Sequence, residues 1–308
     1  RGAGPPSAPL RPPPAGLPPA PSRPRPPLGD GGARRRLGRW LALGLLWGST
    51  ALTIALLLVV LGVVLGRGLP VVDWEFLTAE PRHSGAEGGI WPTIVGTLLV
   101  TLVAVATAGP VGVGAAVWLA EYRTEGRLTR TVRVATEALA GVPSIVFGLF
   151  GFALFVRFLG MGWSVLAGGL TLGCMILPTV VRTSEEALRA VPRAWREVAL
   201  SLGASRWDAV WRVVLPAAAP GVLTGLVLGV GRAVSETAAV VFTAGVALRT
   251  PTSPFDSART MSVHFYTLTM ESISDRMADG TAAVLVVSVL VVNAAAYALL
   301  WAATRGRR

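Results

Sequence analysis

Runs of apolar residues too long for core helices organise this chain. Leu41 to Leu65 is the first of them, and a helix of roughly 20 apolar residues is what crosses a bilayer. Similar runs place spans at roughly 40–66, 91–120, 135–158, 163–184, 216–246 and 280–303. Composition agrees: 52% of residues are hydrophobic, 15% are charged and the mean hydropathy is +0.60, a balance that a water-soluble domain could not keep off its surface. The expected fold class is an all-α polytopic membrane protein with about six transmembrane helices. The first run is too long for a signal-peptide core and no small-residue cleavage pattern follows it, so it reads as an uncleaved signal anchor.

All 28 basic residues are arginine. Without lysine no phosphate-binding P-loop can form, so the chain is expected to catalyse nothing itself, and any ATP it uses must be hydrolysed by another chain. Of these arginines, 21 fall in the N-terminal segment, in 121–134, in 182–212 or after 303; only 6 lie on the opposite face, and Arg232 is inside a span. The positive-inside rule then puts both termini in the cytoplasm. Because the arginines gather at span ends, nucleic-acid binding is not expected. Trp40, Trp91, Trp118, Trp163 and Trp301 stand near the same ends, where an amphipathic ring prefers the interface.

Residues 1–38 are rich in Pro, Gly, Ala and Arg and are expected to be a disordered basic tail, with Arg34, Arg35 and Arg36 available to anionic lipid. Residues 39–67 form the expected first span and 88–305 the main membrane domain. The loop at 247–279 should lie outside, with a short helix around Ala258 to Met270. Cys174, His83 and His264 are too few and too scattered for a disulfide, a catalytic centre or a metal site. Cys174 reads as packing filler and the histidines as solvated loop residues. No cofactor is implied. Gly109, Pro110, Gly141, Pro143 and Pro178 interrupt the spans. They mark either a transport pathway, where broken helices line a cavity, or ordinary kinked packing.

The polar stretch between the fourth and fifth spans holds Glu197, Val198 and Ala199, then Gly203, Val213, Leu215 and Pro216. This spacing resembles the EAA loop of ABC importer permeases, with Val198 and Val213 replacing Ala and Ile. The resemblance assigns 190–216 to coupling with a separate ATPase. A small Ala199 allows close approach, Gly203 allows a tight turn, and Glu197 can pair with an arginine of the partner or cap a helix. Trp195, Trp207 and Trp211 would suit interface anchoring. The competing reading is an amphipathic surface helix with no partner.

A wider resemblance, over about residues 88–305, is to phosphate-specific permeases of the PstA type within the MetI-like importer permeases. It is carried by Gly89–Thr97, Gly141–Gly148, Leu177-Pro178 with Arg182–Glu186, and Gly231–Ala238. Arg232 and Glu236 lie at membrane depth, where a charge facing lipid is costly. Four residues apart on one helix they can form an ion pair, and an arginine fork suits phosphate. The resemblance implies that Arg232 and Arg182 belong to a phosphate pathway, with Ser235 and Thr237 as possible hydroxyl donors. A purely structural ion pair is the alternative. Glu185 and Glu186 are expected at the cytoplasmic border, as weaker gating candidates. The partners implied are a second permease subunit, an ATP-binding subunit dimer, an extracytoplasmic phosphate-binding protein and membrane lipid. Competing functions are a permease for sulfate or molybdate, and an ATP-independent channel or carrier; an intramembrane hydrolase lacks the necessary side chains.

Overall fold

A computed structural model describes residues 31–123 and 126–305; the expected tail up to residue 30 lies outside the described residues. Contacts divide the chain into two units, one ending at Leu58 and one beginning at Val59. The first contributes most of α1 (Gly31–Gly68), a helix that starts ahead of the expected residue 39. Arginine and leucine are good helix formers, so Arg34–Leu37 extend the helix rather than end it.

The second unit opens with α2 (Trp74–Thr78), whose start is capped by the Asp73 carboxylate accepting from Phe76 N at 2.7 Å. A two-residue hairpin follows, β1 (Pro81–Arg82) antiparallel to β2 (Glu87–Gly88), with Pro81 opposite Gly88. Next comes α3 (Trp91–Val117), which widens into a π-helical turn at Trp118–Tyr122. α4 (Arg127–Ala140) and α5 (Ser144–Gly151, continued by a π-helical stretch at Phe152–Phe158) precede α6 (Val165–Ala190). After α6 come the short α7 (Arg193–Ser201) and α8 (Arg206–Ala209), then a π-helical turn at Val210–Val214 leading into α9 (Leu215–Ser235). The unit ends with α10 (Ala238–Thr243), α11 (Met261–Met270) and α12 (Asp275–Arg305). Among the described residues five single helices are long and apolar enough to span a membrane, and six spans result if the bent pair of α4 and the α5 stretch counts as one.

That pair corrects the third expected span. Residues 135–158 are not one helix: α4 and the α5 stretch are bent by 101° across Gly141–Pro143. Proline has no N–H to give and restricts the residue before it, so the helix stops at Ala140 and restarts after Pro143. The fifth expected span, 216–246, is also broken. α9 ends at Ser235, Glu236 is extended (φ −76°, ψ 131°), and helix resumes at Ala238. The expected short helix in the outer loop is α11.

α3, α6 and α9 mesh through small residues. A methyl on Gly112 would lie 2.8 Å from Val180, and side chains on Gly169, Gly173, Gly221 and Gly225 would collide with Val103, Thr107, Ala187 and Thr183. Without strong hydrophobic drive in lipid, such close backbone approach is what holds membrane helices together. The buried centre includes Val100, Ala104, Leu172, Met175, Ile176 and Ala233. A second cluster, with Ala116, Leu188, Val191, Val210 and Val214, seals the end that carries α7 and α8. A third, built on Phe76, Ile90, Met261, Leu268 and Met277, seals the other end.

Candidate coupling loop and membrane-depth site

The loop between α6 and α9 is shaped by Pro192, whose extended backbone (φ −57°, ψ 136°) separates α6 from α7. α7 then closes on Gly203 in the left-handed region (φ +86°), with Gly203 N donating to Leu200 O and Ala204 N to Ala199 O. A glycine is needed there for the turn, and nothing crowds its Cα. Ser205 starts α8 by accepting from Asp208 N at 3.1 Å. Between these helices lies an open groove lined by Trp195, Val198, Ala199, Leu202, Gly203, Asp208 and Val213. Ala199 is buried at its base, whereas Leu202 is 83% exposed. Trp207 and Trp211 meet beside it with ring centroids 5.1 Å apart and planes tilted by 47°, and both remain exposed. Exposed aromatics around a small-residue floor are the makings of a docking surface. Glu197 is exposed on the same short helix, and Leu215 with Pro216 opens α9.

Sequence reasoning missed what anchors this loop. Arg196, on α7, holds Glu121 in the π-helical turn that ends α3, with Nη2–Oε1 at 2.6 Å and Nε–Oε2 at 2.9 Å. It also donates to Val191 O at 2.7 Å and Leu188 O at 2.8 Å. Arg196 adjoins the motif glutamate, but 75 residues separate it from its partner, and no periodic signal spans that interval.

Near the C-terminal end of α6, Glu185 is buried and receives Arg133 of α4 at 2.8 Å and Arg189 at 3.0 Å. Arg182 is exposed and meets Glu186 at 3.3 Å. The three glutamates Glu137, Glu185 and Glu186 and the three arginines Arg133, Arg182 and Arg189 share one cleft, so its formal charges balance.

Arg232 sits in the last turn of α9 and is half-buried. The expected ion pair of Arg232 with Glu236 does not form, because the chain turns extended at Glu236 and brings the N-terminus of α10 to its carboxylate. The Glu236 carboxylate instead accepts from Ala239 N at 3.4 Å at the start of α10. Among the described residues no carboxylate lies within ion-pair distance of Arg232. Ser235 is exposed, and its hydroxyl donates back to Gly231 O and Arg232 O; Thr237 is half-buried at the break. The break is stitched from outside the helix by Ser262 Oγ, which donates to Glu236 O at 2.6 Å, and the start of α11 is tied in turn to α3 by Met261 N donating to Thr97 Oγ1 at 2.9 Å. Thus Arg232, Ser235, Glu236 and Thr237 gather at one helix break. Arg182 does not join them. Thr183 meshes with Gly225, which sets Arg182 about 10 Å from Arg232 along the helix axis, toward the start of α9.

The histidines divide. His83 is exposed and 3.2 Å from Glu87. His264, expected in solvent, is fully buried, with Nδ1 3.4 Å from Arg259 Nη1 and its Cε1 against Gly85. Burial and the neighbouring Arg259 cation push its pKa down to about 4. No group of three or more metal-ligating side chains forms among the described residues.

A permease named "Probable ABC transporter permease protein YqgI" of Bacillus subtilis is 35% identical, over 85% of this chain and 95% of its own length. The Mycobacterium tuberculosis protein named "Phosphate transport system permease protein PstA 1" is 34% identical, over 89% of this chain and 91% of its own length. Among solved structures, a bacterial ABC transporter importing the polysaccharide alginate aligns with a TM-score of 0.58 at 17% identity, covering 85% of this chain and 98% of that one. The MetNI methionine ABC transporter aligns with a TM-score of 0.56 at 20% identity, covering 70% and 94%. At such identities the structures speak for the fold alone, a multi-pass ABC importer permease of the MetI type. Residues 110–306 match the family described as "Binding-protein-dependent transport system inner membrane component", and the chain belongs to that family.

Proposed function

We propose that this chain is the permease subunit of an ATP-driven phosphate importer, forming half of the translocation pathway and coupling through residues 190–216 to a separate ATPase. The observation that carries the substrate is the break in the fifth span. Arg232 stands at membrane depth with no carboxylate among the described residues to neutralise it, beside the exposed Ser235 and the half-buried Glu236 and Thr237. A partly desolvated guanidinium favours an anion, and its planar fork matches the oxygen pairs of a tetrahedral oxyanion. The phosphate-transport name of the M. tuberculosis relative supports phosphate as that oxyanion.

In this reading ATP closes a dimer of ATP-binding subunits docked on the groove floored by Ala199. The motion reaches the spans, and the pathway alternates between a phosphate-binding protein outside and the cytoplasm. A second, related permease supplies the other half. Both termini are cytoplasmic, which places the Trp195–Trp211 surface on the ATPase side.

The test is uptake of radiolabelled phosphate by the transporter reconstituted with its partner subunits. Loss of a charged hydrogen-bond partner is worth about 1.5–3 kcal/mol, so Arg232→Ala should lower uptake roughly 10- to 100-fold with assembly intact. Glu236→Gln should lower it less. Unchanged uptake in both would remove the pathway assignment. Competition by sulfate or molybdate at equal concentration would replace phosphate with another oxyanion, and ATP-independent uptake would point to a carrier.

A further inference from the structure

We infer that Arg196 and Glu121 form a rigid clamp that passes movement of the coupling loop into the spans, with Arg196 as the positioning residue. This rests on the ATP-coupled reading above and says which atoms carry the coupling.

α7 has two faces. Trp195, Val198, Ala199 and Leu202 line the docking groove, while Arg196 points the other way, into the protein. Its guanidinium is used fully. Nε reaches both Glu121 oxygens at 3.1 and 2.9 Å, and Nη2 reaches Glu121 Oε1 at 2.6 Å and Leu188 O at 2.8 Å. Nη1 reaches Val191 O at 2.7 Å and Pro192 O at 3.4 Å. The two oxygens Leu188 O and Val191 O belong to the C-terminal end of α6, where carbonyls lack helical partners. One side chain therefore caps α6, grips the end of α3 and rides on α7.

The backbone alone would leave this joint loose. Val191 and Pro192 are both extended (ψ 130° and ψ 136°), so α7 is joined to α6 by two residues outside any helix, about which it could swing. The clamp removes that freedom. The Glu121 side chain is 8% exposed and that of Arg196 20% exposed, so the pair is shielded from solvent screening. The Arg212–Asp208 pair at the edge of the groove, with side chains 81% and 39% exposed, has no such shielding, and pairs of that kind contribute little. The bidentate fork also fixes orientation as well as distance, which a lever needs and a merely attractive contact does not.

The experiment uses the complete transporter in proteoliposomes, comparing wild type with Glu121→Gln, Glu121→Ala and Arg196→Lys. Uptake and ATP hydrolysis are both normalised to assembled complex. The groove is untouched, so the ATPase should copurify at wild-type levels and ATP hydrolysis should continue. Phosphate moved per ATP hydrolysed should fall at least tenfold in Glu121→Ala and by less in Arg196→Lys. A wild-type ratio in the assembled fraction of all three variants would overturn the clamp and leave the pair structural. A second readout needs no cargo. In a Cys174→Ser background, spin labels at Ser201→Cys on α7 and Val111→Cys on α3 should keep a constant separation when ATP is added. Adding Glu121→Ala should make that separation ATP-dependent. If the wild-type separation already changes with ATP, or the variant's does not, the inference fails, whatever the transported ion proves to be. Absence of phosphate uptake in wild type would instead sink the functional reading.

Discussion

At the scale of single residues, two positions give sharp expectations. Gly203 adopts φ +86° in open space, so a side chain there meets no clash but does meet the left-handed penalty of about 1–2 kcal/mol. Gly203→Val should therefore weaken copurification of the ATPase while the spans stay folded, as checked by pull-down beside a thermal melt. His264 lies in α11, outside the apolar spans, and its pKa is held down near 4. The unfolded chain protonates this ring more readily than the fold does, so stability present above pH 6.5 is lost as pH falls toward 4. The loss should reach at most about 3 kcal/mol. Melting temperature in detergent should drop over that interval, and by less in His264→Gln than in wild type. The two residues differ in legibility. Gly203 was readable because its spacing from Glu197 and Pro216 sets a local turn. The burial of His264 was not, because a polar loop gives no sign that Gly85, 179 positions earlier in the chain, will close over it.

At the scale of elements, hydropathy located the helices but not their interruptions. Apolar runs continue through Gly141–Pro143 and through Glu236–Thr237, so periodicity draws one span where the backbone makes two segments. Pro143 was a visible breaker. The second break was hidden, since no proline or glycine occupies 235–237; hydrogen bonds donated to Glu236 by Ser262 Oγ and by Ala239 N hold it open. For the same reason the ion pair expected of Arg232 and Glu236 on one helix does not form, and the Glu236 carboxylate serves the start of α10 instead. α4 is held to α6 by Arg133 on the buried Glu185. Removing Glu185 takes one charged acceptor from Arg133, a change of about 1–3 kcal/mol when one partner of a charged hydrogen bond is lost. Glu185→Ala should loosen α4. Trypsin has only arginine to cut in this chain, so faster cleavage at Arg127, Arg130 and Arg133 in gel-resolved digests is the expected result.

For the whole molecule, the arginine bias predicts a definite topology. With Cys174 replaced by serine, a cysteine at Ser201 should react with an impermeant thiol reagent only from the cytoplasmic side. One at Ser272 should react only from outside. Reversal of both would invert the orientation, and with it the side assigned to the docking groove. The fold was legible in its span count, since each long apolar run had one solution in lipid. The distant pairings that join the spans to the loop were not, because each depends on where helices stop. The small residues meshed along α3, α6 and α9 have a further mechanical meaning. Backbones that touch through Gly169, Gly173 and Gly225 have no compressible layer of long side chains between them, so these three helices resist shear and behave as one stiff plate. Compliance is then concentrated where helices break, as at 141–143 and 236–237. Bending of such a body at these seams would leave the plate undeformed, and the seam at 236–237 is the one beside Arg232.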